Sequence, residues 1–196
     1  METVYPNFNL KDFNKLSDNV YLLKSSDLNT KTKIYKYTDL RALFAISDGK
    51  FRISKRNSYS DRWELGEDDL RNLEHLHSVG LPYTQQDAEH LHKQLEYRKK
   101  ASHLLTSCFT LESDELYSMW KCFAPSDTGI RITTTIGDFI DSIDISGYTT
   151  FIGKMHYQKY DAGVSNPLFL FTKKEFYSTE KEIRFYFVHH DRSISQ

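Results

Sequence analysis

The chain contains very little cysteine. Cys108 and Cys122 are the only two among 196 residues. Two cysteines are too few for a disulfide framework or for a zinc cage of four sulfur ligands. They fit the reducing environment of the cytoplasm, and we interpret both as small buried residues.

The sequence also lacks long apolar runs. No stretch approaches the roughly 20 apolar residues needed to cross a bilayer. The N-terminal stretch METVYPNFNLKDF has neither the basic nor the apolar region of a secretory leader. We therefore expect a soluble, cytoplasmic protein without a membrane partner.

A strong charge bias and the common catalytic signatures are missing as well. The formal net charge is −1, and no basic block gives the electrostatic footprint of a nucleic-acid binder. There is no GxGxxG, GxxxxGK[ST], HExxH or nucleophile elbow, which argues against Rossmann, P-loop, zincin and hydrolase functions. The paired histidines (His75, His77, His90 and His92) are spaced i, i+2 and not i, i+4, so we predict no metal site there.

The most informative stretch that is present is TEKEIRFYFVH, residues 179–189. Apolar side chains alternate with polar ones, which is typical of a β-strand packed on a core. The apolar set is Ile183, Phe185 and Phe187, and the polar set is Glu180, Glu182, Arg184 and Tyr186. Two carboxylates and their counterion would project from one rigid strand. The same spacing fits a purely structural salt-bridged face equally well.

The pattern along the chain predicts an α+β fold with mixed or antiparallel sheets. We interpret residues 1–32 as an N-terminal extension with one short helix near Leu10–Leu16. Residues 33–196 form a single domain, with a helical insertion at about 67–105. Its first unit, residues 33–56, is predicted as strand, short helix ended by Gly49, and strand.

Further helices are predicted from their caps and apolar stripes. Ser113 can cap a helix in which Leu116, Met119, Trp120 and Phe123 share one face, so we expect Trp120 and Phe123 in the core. Thr135 and Asp138 form a possible capping box for the next helix.

Four stretches resemble one family, domain of unknown function 2971, which is widespread in bacteria and phages. They are IYKYTDLRALFAISDGKFRIS, SYSDRWE, SCFTLESDELYSMWKCFAPSDTGIRI and FTKKEFYSTEKEIR. Together they cover nearly the whole chain from Ile34 onward. Ser60 and Arg62 stand where the family has Asn and Pro, while Phe123 and Tyr177 stand where it has Tyr and Trp.

The order of elements more distantly resembles the ADP-ribosyltransferase superfamily. That resemblance implies an ADP-ribosyltransferase-like fold that uses NAD as a substrate. Its three sites would fall on Lys36 and Tyr37, on Thr106 and Ser107, and on the pair Glu180 and Glu182. We expect Ser54, Asp61 and Glu64 to line the same cleft. The first position departs from the superfamily, which carries Arg or His there.

The leading hypothesis is therefore an NAD-dependent ADP-ribosyltransferase or NAD glycohydrolase acting in conflict between phages and their hosts. Glu182 would be catalytic, with Glu180 and Arg184 in support. The ligand would be a nucleotide, and the acceptor would be a protein or a nucleic acid. One alternative is a Mg²⁺-dependent phosphodiesterase or nuclease with Asp61, Glu64, Glu180 and Glu182 as oxygen ligands. The other is a nucleotide-binding or regulatory module without chemistry.

Overall fold

The computed structural model describes residues 8–55, 89, 104–124, 128–158 and 170–190. The strands within these ranges are β1 (Phe13–Ser17), β2 (Val20–Leu23), β3 (Lys33–Asp39), β4 (Ser54–Lys55), β5 (Leu105–Thr110), β6 (Gly129–Thr135), β7 (Tyr148–Lys154), β8 (His156–Gln158), β9 (Thr172–Lys174) and β10 (Glu182–His189). The α-helices are α1 (Leu40–Ser47), α2 (Tyr117–Phe123) and α3 (Ile136–Ser142), and three 3-10 segments span Leu10–Asp12, Lys24–Ser26 and Glu175–Glu180.

One eight-stranded sheet organises the described residues. Seven of its strands follow the order β1-β2-β7-β10-β5-β3-β6, and the eighth, β4, pairs with β5. Within it, β2 and β7 are parallel and the other pairs are antiparallel. Strands β8 and β9 form a separate parallel pair. The prediction of an α+β fold with mixed or antiparallel sheets is confirmed, and the main sheet is mostly antiparallel.

The N-terminal segment belongs to this sheet. The helix expected near Leu10–Leu16 is wrong, because a short 3-10 turn leads there into β1. The segment that we interpreted as an extension supplies β1 and β2, and β2 pairs in parallel with β7. Phe8 stacks on Phe151 with ring centroids 3.9 Å apart. Burial of these aromatic side chains helps to hold residues 8–23 in place within the sheet.

The unit that follows confirms the predicted strand and helix. The Asp39 carboxylate caps α1 by accepting a hydrogen bond from the Ala42 amide. Gly49 adopts φ +72°, the left-handed conformation that ends a helix at low cost when the residue is glycine. The second predicted strand, KFRIS, is shorter than expected, because only Ser54–Lys55 pairs with β5.

Helix α2 departs from its predicted orientation. Met119 is buried, but Phe123 is 46% exposed, so its expected place in the core is wrong. Trp120 is half-buried and packs edge-on against Tyr37, with ring centroids 4.7 Å apart. Leu116 occupies the N-cap position, and Ser113 does not cap the helix. The capping of α3 by Thr135 is confirmed.

Two apolar clusters enclose the central strand β10, one on each face of the sheet. The first contains Val20, Leu22, Ile34, Phe109, Ile136, Phe139, Ile152, Ile183, Phe185 and Phe187. The second contains Phe8, Phe13, Leu23, Phe151, Met155, Leu170, Phe171, Tyr186 and Val188. Both faces of β10 are therefore buried.

Several predictions fall wholly or largely outside the described residues. They are the loop with Asp61, Trp63 and Glu64, and most of the helical insertion at 67–105. Among the residues that are described, no helix is long and apolar enough to cross a membrane.

Candidate functional site

Strand β10 carries the predicted polar row in part. Glu182, Arg184 and Tyr186 alternate with Ile183, Phe185 and Phe187, as expected from a period of two. Glu180 is not on this strand, because it lies in the 3-10 segment and Lys181 breaks the path with φ +41°. We expected two carboxylates in a row on one strand, and this expectation is wrong, because β10 carries Glu182 but not Glu180.

Glu180 nevertheless reaches the same charge network through a lysine. The Lys173 ammonium on β9 donates to Glu180 Oε2 at 2.7 Å and to Glu182 Oε2 at 2.9 Å. On the other side, Arg184 Nε donates to Glu182 Oε1 at 2.6 Å. Both oxygens of Glu182 are thus bound to cations inside the protein.

This network sets the ionisation of Glu182. Burial by itself would raise the pKa of the Glu182 carboxyl. The nearby charges of Arg184 and Lys173 outweigh burial, and hydrogen bonds from Arg184 and the Cys108 thiol add to their effect. The pKa of Glu182 therefore lies below its ordinary value, and the carboxylate is ionised at neutral pH.

Two tyrosines fix the ends of this network. The Glu182 amide donates to the Tyr157 hydroxyl oxygen at 2.7 Å. Arg184 Nη1 donates to the Tyr186 hydroxyl oxygen at 3.2 Å, and that hydroxyl donates to the Leu170 carbonyl at 2.6 Å. Burial raises the pKa of Tyr157, so it remains a neutral phenol. These contacts hold Glu182 and Arg184 in one geometry.

A cleft opens beside this network, at the point where β3 and β5 share little backbone pairing. Strands β3 and β5 pair only between Tyr35 and Thr110 and then diverge. The cavity is about 690 Å³ in volume, within the range of small-molecule sites. Residues from β3, α1, β5, α2 and β10 line it, together with Lys173 and Glu180. A missing stretch of backbone pairing thus creates the space for a ligand.

Lys36 lies in this gap between the strands. Its ammonium donates to the Cys108 carbonyl at 2.9 Å, and the Ser107 hydroxyl oxygen lies 3.5 Å away. Burial lowers the pKa of Lys36, although Cys108 and Glu182 act in the opposite direction. The amine of Lys36 therefore lies in the cleft, and its lowered pKa gives it a larger neutral fraction than an exposed lysine has.

The structure brings most of the predicted site residues together. Those that line the cleft are Glu182, Glu180, Arg184, Lys36, Tyr37, Ser54 and Thr106. Ser107 is not among them, and its partner on β10 is Phe185, on the opposite face from Thr106 and Cys108. Asp61 and Glu64 lie outside the described residues.

Sequence reasoning missed several residues of the site. Lys173 was not predicted as a site residue, although it is the lysine that opens the motif in FTKKEFYSTEKEIR. The stretch TKKEFYS shows no clear period, and the contact of Lys173 with Glu182 depends on a second sheet. Both cysteines were expected to be buried, but Cys108 is half-buried and lines the cleft, while Cys122 is exposed. The alternation of β5 could have placed Cys108 on the same face as Thr106.

Positive charge dominates among the described residues that line the cleft. The cationic lining residues are Lys36, Arg41, Lys50, Arg52, Lys173 and Arg184, and the anionic ones are Asp39, Glu180 and Glu182. Each carboxylate forms an ion pair with a lining cation. The surplus cations are Lys36, Lys50 and Arg52. A ligand with negative charge fits this balance.

Two of the four oxygen ligands in the metal hypothesis, Asp61 and Glu64, lie outside the described residues. Among the described residues, no group of three His, Cys, Asp or Glu side chains is placed to hold a metal ion. The Lys173 ammonium occupies the position between Glu180 and Glu182 where a divalent cation would bind. Glu180 and Glu182 are therefore already neutralised by the protein.

Comparisons with known proteins returned no match to a family model, to a curated protein or to a solved structure. The resemblances to the domain of unknown function 2971 family and to the ADP-ribosyltransferases therefore remain hypotheses that rest on the quoted motifs.

Proposed function

We propose that the chain binds NAD in the cleft and cleaves its nicotinamide–ribose bond, as an ADP-ribosyltransferase or an NAD glycohydrolase. The observation that carries the proposal is the meeting of Glu182 with Lys36, Tyr37 and Thr106 in one cleft. These residues come from three strands that are far apart in the sequence, and the motifs assigned them to one site.

The ionisation of Glu182 suits the electrostatic part of this reaction. Cleavage of the bond passes through an oxocarbenium-like cation, which a fixed carboxylate stabilises. A carboxylate with a lowered pKa stays charged at neutral pH, but it is a weak proton acceptor. We assign to Glu182 the stabilisation of the ribosyl cation and to Glu180 the deprotonation of the acceptor.

The surplus cations support binding of the diphosphate. Lys50 and Arg52 line the cleft and form no ion pair within the described residues. A nucleotide diphosphate would supply the negative charge that these side chains lack. The acceptor would be a protein or a nucleic acid, or water in the glycohydrolase case, and a role in conflict between phages and hosts follows from the same hypothesis.

A second candidate, a nucleotide-binding module without chemistry, is favoured by one specific observation. Both Glu182 oxygens already accept short bonds from Arg184 and Lys173. Two cations beside the carboxylate oppose the growth of positive charge on a ribose. In this candidate the network is structural and the cleft only binds its ligand.

One experiment separates the candidates. The thermal midpoint of the full chain is measured with NAD, with Mg²⁺ and without addition, because a ligand that binds only the folded state raises the midpoint. Nicotinamide release is followed in the same samples. Stabilisation by NAD with release of nicotinamide supports the enzyme, and stabilisation without release supports the binding module. Stabilisation by Mg²⁺ alone would contradict both and restore the metal hypothesis.

A further inference from the structure

The environment of Lys36 differs from that of the other charged residues in the cleft. Its side chain is half-buried and lies near two aromatic rings, with the ammonium 5.0 Å from the ring centroid of Phe109 and 5.9 Å from that of Phe51. The oxygen atoms near it are neutral, namely the Cys108 carbonyl and the Ser107 hydroxyl. Lys36 is a half-buried amine whose hydrogen-bond partners are neutral and whose other neighbours include two aromatic rings.

No carboxylate of the described residues forms an ion pair with Lys36. The titratable groups that face it are the Cys108 thiol on β5 and the Glu182 carboxylate on β10, and both favour its charged form. Burial outweighs them and lowers the pKa of Lys36. A desolvated lysine of this kind has a larger share of neutral, nucleophilic amine than an exposed lysine.

We propose that Lys36 is a nucleophilic amine that forms an imine with a small aldehyde or ketone carrying a phosphate group. The lone pair of Nζ attacks the carbonyl carbon to give a carbinolamine. Loss of the carbinolamine oxygen as one molecule of water, after protonation by solvent, gives the imine. The step needs no oxidant or reductant.

The phosphate in this ligand class is inferred from the surroundings of the amine. Lys50 and Arg52 line the same cleft on the segment between α1 and β4, and neither has a carboxylate partner in the described residues. Guanidinium and ammonium groups bind phosphate through charge-assisted hydrogen bonds. They would hold the anionic end of a ligand whose carbonyl reaches Lys36.

A purely structural role for Lys36 is the competing explanation. The ammonium satisfies the Cys108 carbonyl at the point where β3 and β5 no longer pair. A lysine held only for this purpose would stay protected from reagents that enter the cleft. Chemical modification distinguishes the two roles directly.

The test uses pyridoxal 5′-phosphate as the probe. The wild-type chain is incubated with the probe, the imine is reduced with borohydride, and the labelled lysines are identified by peptide mass spectrometry. We expect the Lys36 peptide to carry more label than the peptide of Lys121, which is exposed, because burial increases the share of neutral amine at Lys36 and because Lys50 and Arg52 would bind the phosphate of the probe. Pyridoxal without the phosphate should label Lys36 less.

Two variants complete the design. Lys36→Arg keeps the charge but has no amine that can form an imine, so it should lose this label. Arg52→Ala should reduce labelling by pyridoxal 5′-phosphate and leave labelling by pyridoxal nearly unchanged. The wild-type peptide map decides the main question even if Lys36→Arg fails to fold.

Label spread over exposed lysines with Lys36 unmodified would overturn the proposal. Equal labelling of Lys36 by pyridoxal and by its phosphate would overturn the phosphate assignment. These outcomes are independent of the NAD proposal, because the probe contains no nicotinamide–ribose bond.

Discussion

The two faces of β10 are both buried, but by different means. Ile183, Phe185 and Phe187 pack into a hydrocarbon core below α3. Glu182 and Arg184 on the opposite face are just as inaccessible, and they are covered by Lys173 and the tyrosines around them. Burial of hydrocarbon stabilises the fold directly. A buried ion network only offsets the cost of removing its charges from water.

This contrast explains why the polar face is the better place for a ligand site. A purely structural strand could bury a second apolar row on this face at lower cost. Ion pairs, by contrast, hold charged groups in fixed geometry at the wall of a cleft, where a ligand can use their field. The variants below remove a side chain from one face of β10, or compare the losses of stability on its two faces.

The largest effect should come from removing Arg184. Arg184→Met leaves the Glu182 carboxylate buried with one cation fewer, and we expect a loss of about 3–5 kcal/mol in the free energy of unfolding. Urea denaturation measures it. Lys154→Met, at an exposed position of the neighbouring β7, is the control and should change stability by about 0.5 kcal/mol or less. A loss below about 1 kcal/mol in Arg184→Met would show that the network does not hold this face.

A second change should recover part of that loss. Adding Glu182→Gln to Arg184→Met removes the carboxylate that has lost one of its two cations, so the double variant should be more stable than Arg184→Met by about 1–3 kcal/mol. The matched control adds Glu180→Gln, whose side chain is 19% exposed, and should recover less. If the changes in unfolding free energy from Arg184→Met and from Glu182→Gln simply add in the double variant, Glu182 and Arg184 are not coupled and do not form one network.

The pH dependence of stability should carry the signature of Glu182. Its pKa in the folded state lies below the value in the unfolded chain, so its contribution is present at neutral pH and is lost as the pH falls through that lower value. We expect Glu182→Gln to flatten the stability profile between about pH 5 and about pH 2. Denaturation curves across this range measure the effect. An unchanged acid limb would contradict the ionised state of Glu182.

The smallest effect is expected at Phe123, which lines the cleft from α2. Phe123 is 46% exposed on α2, so Phe123→Ala should cost about 1 kcal/mol or less. Phe185→Ala on the apolar face of β10 should cost about 3–5 kcal/mol as a cavity. Thermal unfolding of both variants tests the pair. Equal losses would mean that Phe123 is packed as the apolar stripe of its helix predicted.

The sequence predicted those features of the fold that are determined by residues close together in the chain. The alternation of β10, the turn at Gly49 and the cap of α3 by Thr135 all follow from local spacing. The α+β class follows from the count and order of such elements. Strand β2 was missed because its four residues give too short a run for a reliable period.

The cleft depends on relations that local spacing does not contain. It exists because β3 and β5 diverge after a single pair, and strand order is not readable from periodicity. Lys173 reaches Glu182 from the second sheet, across nine residues that include a 3-10 segment. Motif resemblance placed seven residues at the cleft, but it could not show that both Glu182 oxygens would be bound.

The most direct test of the proposed function is the rate of nicotinamide release from NAD by the wild-type chain and by Glu182→Gln. The glutamine keeps the shape of the side chain and removes its charge, and circular dichroism confirms that the variant is folded. We predict that Glu182→Gln lowers kcat about 100-fold or more with a small change in KM, as expected when electrostatic stabilisation of the transition state is lost. Glu180→Gln should lower it less. Absence of release by the wild-type chain, or equal kcat in Glu182→Gln, would contradict the account and leave a structural ion network.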